Sequence, residues 1–253
     1  MGESKYGVGV NNYRYETGDF NGDGKTDLVH FDVNNYVHLW HSNGDGSFSI
    51  KSFTPGGGYG VGVNNYRYET GDFNGDGKTD LVHFDVNNYV HLWHSNGDGS
   101  FSIKSFTPGG GYGVGVNNYR YETGDFNGDG KTDLVHFDVN NYVHLWHSNG
   151  DGSFSIKSFT PGGGYGVGVN NYRYETGDFN GDGKTDLVHF DVNNYVHLWH
   201  SNGDGSFSIK SFTPGPEFLT KSAIAKHRSL TGSGFEQSDR RFPQPTVCCQ
   251  ILN

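Results

Sequence analysis

Asp19, Asn21, Asp23 and Asp27 place side-chain oxygens at positions 1, 3, 5 and 9 of the run DFNGDGKTD, with Gly24 at position 6 and the Lys25 carbonyl at position 7. Such spacing winds a backbone around a hard cation, because glycine allows the reversal and alternate residues turn oxygen inward. Calcium takes roughly six to eight oxygens at about 2.3 to 2.6 Å, so one Ca²⁺ per loop is the expected cofactor. No thiolate or paired imidazole lies in the run to favour zinc. An EF-hand would need Glu at position 12 and flanking helices. Position 12 is His30, and the run leads directly into LVHFDV, which excludes that motif.

The loop occurs four times because a block of 53 residues recurs without a substitution: Tyr6 to Gly58, Tyr59 to Gly111, Tyr112 to Gly164, and a fourth copy from Tyr165 that departs at Pro216. Equivalent metal loops are expected at Asp72, Asn74, Asp76, Lys78 and Asp80, at Asp125, Asn127, Asp129, Lys131 and Asp133, and at Asp178, Asn180, Asp182, Lys184 and Asp186. The chain is read as a leader (1–5), four repeats (6–58, 59–111, 112–164 and 165–215) and a non-repeat tail (216–253). A period of this size marks a repeat architecture, in which each unit is one supersecondary structure that buries its faces against its neighbours.

Six acids against three bases give each repeat a net charge of −3. The tail contributes +2, and the whole chain carries −10. A nucleic-acid partner is not expected, because it would require a cationic face, whereas a divalent cation per repeat relieves the excess. Cysteine is confined to the adjacent pair Cys248 and Cys249, which suits neither a disulfide framework nor a zinc site. No apolar stretch approaches a membrane span and MGESKY lacks the hydrophobic region of a signal peptide, so no membrane partner is expected and the chain reads as soluble. Catalysis has little support. Every His and carboxylate of the repeats occurs in four copies, there is no nucleophile with an adjacent base, and GGGYGVGV lies between strands.

Glycine at 41 residues and aromatics at 15% argue for short aromatic strands joined by glycine turns. In the first copy YRYETGDF (13–20) predicts a strand entering the metal loop. LVHFDV (28–33), YVHLWHS (36–42) and SFSIKSF (47–53) predict three more, and TPGGGYGVGVNN (54–65) crosses to the next repeat. Asn34-Asn35 suits a two-residue hairpin turn, which would pair Val33 with Tyr36, Phe31 with His38 and Val29 with Trp40. Four antiparallel strands and a crossing, repeated, make an all-β fold: a β-propeller of four identical four-stranded blades.

GDFNGDGKTDLVHF resembles the signature of FG-GAP/VCBS repeats, the calcium-binding blades of integrin α-subunit propellers and of many secreted proteins. NNYVHLWHSNGDGSFS makes the chain more similar to PVL-type lectin blades. That resemblance covers all four repeats and implies glycan sites between blades, one calcium per blade and an extracellular setting for the relatives. A sugar site needs an aromatic plane and a few fixed polar groups. The candidate sets draw on one blade and the next: Trp40 and His41 with Tyr66 and Arg67, Trp93 and His94 with Tyr119 and Arg120, Trp146 and His147 with Tyr172 and Arg173, and finally Trp199 and His200. A tryptophan at the centre of a blade strand serves equally as core.

Relatives usually carry seven blades, and the geometry of a larger ring would leave four blades as an open arc with two exposed aromatic faces. Such faces are expected to pair, two chains joining head to tail into an eight-bladed homodimer. The tail is basic and Ser-rich, with a weak helix signal around Leu219 to Arg228, and Glu217-Phe218 suits a restriction-site scar. Together with the unblurred repeats this points to an engineered array or a very recent amplification. The alternative function is a scaffold of identical blades with no ligand but calcium.

Overall fold

Each repeat folds as β-branched and aromatic strands punctuated by glycine turns require. The structure, a computed structural model, describes residues 14–55 (apart from 33 and 35), 67–108 (apart from 86 and 88), 120–161 (apart from 139 and 141) and 173–214. The first blade contains β1 (Arg14–Gly18), β2 (Asp27–Phe31), β3 (Val37–Ser42) and β4 (Phe48–Phe53). The second contains β5 (Arg67–Gly71), β6 (Asp80–Phe84), β7 (Val90–Ser95) and β8 (Phe101–Phe106). The third contains β9 (Arg120–Gly124), β10 (Asp133–Phe137), β11 (Val143–Ser148) and β12 (Phe154–Phe159). The fourth contains β13 (Arg173–Gly177), β14 (Asp186–Phe190), β15 (Val196–Ser201) and β16 (Phe207–Phe212). Every sheet is antiparallel and keeps its strands in sequence order, so each blade is whole within its own repeat. The first strands of successive blades lie side by side, β1 with β5, β5 with β9 and β9 with β13.

The chain divides into two units, Met1–Thr213 and Pro214–Asn253. All four blades belong to the first. The second unit, with the helix signal near Leu219, lies outside the described residues apart from Pro214. Among the described residues no helix is long and apolar enough to cross a membrane.

The hairpin between the second and third strands differs from the expected one by a single residue. Phe31 pairs with Val37, His30 with His38, Val29 with Leu39 and Leu28 with Trp40. The cause is Asp32. Its backbone N–H donates to the Tyr36 carbonyl, and its carboxylate accepts from the backbone N–H of Asn34 and Tyr36 at 2.8 and 2.9 Å. The loop therefore contains three residues, 33–35, rather than two, and the side-chain faces regroup accordingly. The fourth blade shows how this loop closes: Asn194 adopts φ 65°, a left-handed conformation that Asn tolerates, and its N–H donates to the Asp191 carbonyl.

The regrouped faces make the core. Val29, Phe31, Val37 and Leu39 of the first blade pack with Tyr68, Leu81 and Trp93 of the second, all essentially excluded from solvent. The same junction recurs between the second and third blades and between the third and fourth. Phe31 stacks on Tyr68 at 4.2 Å between ring centroids, the tightest aromatic contact across this interface.

Candidate functional site

In the metal-type loop the backbone folds around Asp19. Its carboxylate accepts the N–H groups of Gly22, Asp23 and Gly24 at 2.7 to 3.1 Å. Asn21 accepts from the Asp23 N–H, and Asp23 accepts from the Lys25 N–H. Gly22 and Gly24 stand at φ 75° and 81°, which L side chains rarely adopt, and so permit the wrap. The Lys25 ammonium sits on the second Asp23 oxygen at 2.7 Å, and these hydrogen bonds hold the Asp23 carboxyl below its ordinary range.

Asp27 goes elsewhere. Its two oxygens accept from the N–H of Phe20 and Ser42 and meet Nδ1 of His41 at 3.0 Å, fully inside the blade. Asp80, Asp133 and Asp186 repeat this with His94, His147 and His200. Burial raises the Asp80 carboxyl above its ordinary value. Asp19, Asn21, Asp23 and the Lys25 carbonyl thus share one loop with donors of the hard type calcium prefers, and their chemistry fits that ion. The arrangement leaves the ninth position committed to the blade. Among the described residues no three His, Cys, Asp or Glu side chains are grouped to hold a metal.

The loops also join blades. Asp19 accepts from the Thr79 N–H at 2.7 Å through its carbonyl, and its own N–H donates to the Thr79 hydroxyl at 2.9 Å. Ser95 donates its hydroxyl to the Phe20 carbonyl at 2.6 Å, and Lys51 donates to the Asp98 carbonyl.

The expected pairing of Trp and His with Tyr and Arg does not form. Trp40 and His41 lie at the end of the first blade next to its metal-type loop, where Trp40 pairs with Leu28 and His41 meets Asp27, whereas Arg67 starts β5 of the second blade opposite Phe84, at the end remote from that blade's own loop. Arg67 instead binds Glu69 at 2.8 Å and lies 5.3 Å from the Tyr121 ring centroid. Burial holds the Glu69 carboxyl up at about 7. Arg14 and Arg120 make the same two contacts, and Arg173 lies at the start of β13. Tyr66, Tyr119 and Tyr172 lie outside the described residues. Trp93, Trp146 and Trp199 have 0% exposure. They are core, closed against the preceding blade, and offer no face to a sugar. Trp40 alone of the four is half-buried.

An open cleft does lie between blades, on residues absent from the expected set. Lys157, Ser158, Phe159, Thr160 and Pro161 at the end of β12 face Gly205, Ser206, Phe207 and Ile209 of the fourth blade across a volume of about 460 Å³. Phe159 and Phe207 form its aromatic wall, 6.1 Å apart and tilted by 43°. In FSIKSF, Phe154 and Ile156 alternate onto the face toward the preceding blade, while Phe159, three positions on, falls on the opposite face toward the next; that break in the alternation was the sequence signal for an aromatic on the cleft side.

Four antiparallel sheets in sequence order, with adjacent first strands and loops hydrogen-bonded from blade to blade, define a β-propeller array. The FG-GAP-like repeat model matches residues 19–83, 72–136, 125–189 and 178–225, and the chain belongs to that family. A solved structure titled for specific recognition of non-reducing terminal N-acetylglucosamine by an Agrocybe aegerita lectin is 25% identical, with a TM-score of 0.64 over 80% of this chain and 52% of the lectin. The Photorhabdus luminescens Tc holotoxin pore matches at 19% identity and a TM-score of 0.57, over 78% of this chain and 9% of that one. The chain therefore spans about half the length of the lectin it resembles. A search of curated proteins finds no match.

Proposed function

We propose that this protein binds glycans in the clefts between the outer strands of successive blades. The observation that carries the reading is the cleft between Phe159 and Phe207: an aromatic wall rimmed by Ser158, Thr160, Ser206 and Lys157, open enough for one sugar ring. Aromatic faces receive the apolar side of a sugar, and hydroxyl and ammonium groups receive its oxygens. The likeness to a lectin that recognises terminal N-acetylglucosamine supports this class of ligand. Because the same residues recur at Lys51–Pro55 with Gly99–Ile103 and at Lys104–Pro108 with Gly152–Ile156, weak single sites gain avidity when a multivalent surface spans them.

Calcium belongs to the same proposal as a stiffener of the loops that join blades. Asp19, Asn21, Asp23 and the Lys25 carbonyl would hold it, displacing the Lys25 ammonium from Asp23. Bound, it supplies positive charge where each repeat has an excess of carboxylates. The unblurred repeats support an engineered or newly amplified origin.

A glycan array probed with the full chain tests the reading. Binding to N-acetylglucosamine-terminated glycans is expected, with loss when Phe53, Phe106 and Phe159 are replaced together by Ser. Silence on every glycan would sink it and leave a propeller scaffold. Calcium is tested separately by thermal melting: an ion bound only by the folded chain raises Tm with its concentration, and EDTA reverses the rise.

A further inference from the structure

We propose that this protein hydrolyses esters of short carboxylic acids by acyl transfer to Ser211 on β16 and to its counterparts Ser52, Ser105 and Ser158. The sequence shows no base beside a nucleophile because the two stand 14 residues apart and meet only when β15 and β16 pair, His197 opposite Ser211. Ser211 Oγ then lies 2.7 Å from Nδ1 of His197, and Nε2 of the same ring lies 3.5 Å from Oδ2 of Asp191. Serine, imidazole and carboxylate in that order are a nucleophile, its general base and the group that orients the base. The first three blades repeat the order. Ser52, Ser105 and Ser158 lie 2.7 Å from His38, His91 and His144, whose Nε2 atoms face Asp32, Asp85 and Asp138 at 3.6 to 3.7 Å.

Each member is placed as its role requires. The serines are exposed on the outer strand of every blade, whereas the histidines are only 6 to 7% exposed. His197 is held between Tyr195, stacked at 6.1 Å, and His189, at 4.6 Å. Asp191 Oδ1 accepts the N–H groups of Asn193 and Tyr195 at 2.9 and 2.8 Å, which leaves Oδ2 toward the imidazole. Desolvation opposes ionisation there, yet these bonds hold the Asp191 carboxyl below its ordinary range. An anion at that position takes the proton on Nε2 and leaves the Nδ1 lone pair to the serine hydroxyl.

The electrophile also has a place. Phe207, Ile209 and Ser211 alternate onto one face of β16, and Phe207 and Ile209 line the cleft opposite Phe159. An ester seated on that apolar wall brings its carbonyl carbon to the next position along the strand, Ser211. β16 is the edge strand of its sheet, and the N–H groups that such a strand turns outward are donors for a carbonyl oxygen as it gains charge. Ser211 Oγ bonds to the carbonyl carbon as its proton passes to His197 Nδ1. The C–O bond to the alcohol breaks, and Nδ1 returns the proton to the departing alkoxide. Water, deprotonated by the same nitrogen, then cleaves the acyl-serine, releasing the carboxylic acid and restoring the hydroxyl.

The reaction needs no glycan, so its test is separate from that of the sugar reading. With p-nitrophenyl acetate and the full chain, turnover of the ester and acetylated chain in the intact mass are expected. A fluorophosphonate should label the same serines, and trypsin separates them: Ser211 opens the peptide SFTPGPEFLTK, and the other three open SFTPGGGYGVGVNNYR. Ser52→Ala, Ser105→Ala, Ser158→Ala and Ser211→Ala together should abolish turnover and label while the sheet signal in circular dichroism stays. Asp32→Asn, Asp85→Asn, Asp138→Asn and Asp191→Asn together keep an amide oxygen for the loop N–H groups. They should lower kcat on the order of 100-fold with KM unchanged. Hydrolysis no faster than with the same concentration of free imidazole, turnover or label that persists in the four-Ala chain, or an unchanged kcat in the Asn set would each overturn the proposal.

Discussion

The two central blades and the two end blades have the same sequence and different environments. Trp93 and Trp146 are sealed between blades, while Trp40 is half-buried; Phe84 is closed off, while Phe190 is 41% exposed. Identical residues therefore report what a neighbouring blade contributes, with composition held constant. The difference teaches that the folding unit is the junction rather than the blade: a four-stranded sheet leaves both faces apolar, and only stacking removes them from water.

That comparison is sharpest under conditions where the chain is single. The largest contrast is expected from tryptophan. Trp146→Ala should cost about 3 to 5 kcal/mol, as for large core truncations, and Trp40→Ala about 1 kcal/mol, read by urea unfolding at low protein concentration. Equal losses would break the comparison.

Glycine gives the next contrast. A Cβ at Gly71 would lie 2.4 Å from Thr132 Cγ2 across the junction, whereas at Gly177 the nearest atom is Phe179 Cζ at 3.5 Å. Gly71→Ala is expected to cost about 1 to 3 kcal/mol by overpacking and Gly177→Ala close to nothing. Differential scanning fluorimetry separates them by several degrees. Serine follows. Ser148→Ala strands the Phe73 carbonyl, bonded at 2.6 Å, at about 1 to 2 kcal/mol, while Ser42→Ala should leave Tm unmoved in the single chain.

The smallest contrast is in acid. Burial, with the neighbouring imidazole, lowers His83 to about 3, and His30 and His189 at the ends to about 4, from an ordinary 6.5. The unfolded chain then binds more protons than the folded one below pH 6.5, so stability is intact above that value and falls as pH drops. The loss continues to about pH 4 in the end blades and about pH 3 in the centre. Glu69, raised to about 7, works the other way: it favours the fold at low pH and withdraws that support as pH rises from 4.5 through 7. With a histidine of this kind in every blade, Tm is expected to be lower at pH 5 than at pH 7. NMR titration of the imidazoles should show the end pair protonating about one unit before His83.

Strand order and blade count were legible because short β-rich runs, glycine pairs and a 53-residue period are local signals. The register was not, since it depended on one carboxylate: Asp32 captures two backbone N–H groups and draws a third residue into the turn. The sugar-binding set failed for a related reason. Trp40 and Arg67 were grouped by residue type from one blade and the next, yet the antiparallel order leaves Trp40 beside the metal-type loop and puts Arg67 at the other end of its own blade. Asp27 was legible as an acid at the ninth position of a calcium-type loop, whereas its bonds to His41 and Ser42 exist only after the third strand has packed beside it.

Each sheet runs in sequence order with no strand lent to another repeat. Such a chain carries no address. Any forward face is a valid partner for any rear face, on the same molecule or another, and nothing in the side chains distinguishes the second blade from the third. During refolding, then, correct and incorrect partners compete at equal strength, and only chain connectivity favours the adjacent blade. Renaturation yield should depend steeply on dilution, with crowded samples trapping interleaved chains whose every local contact is native.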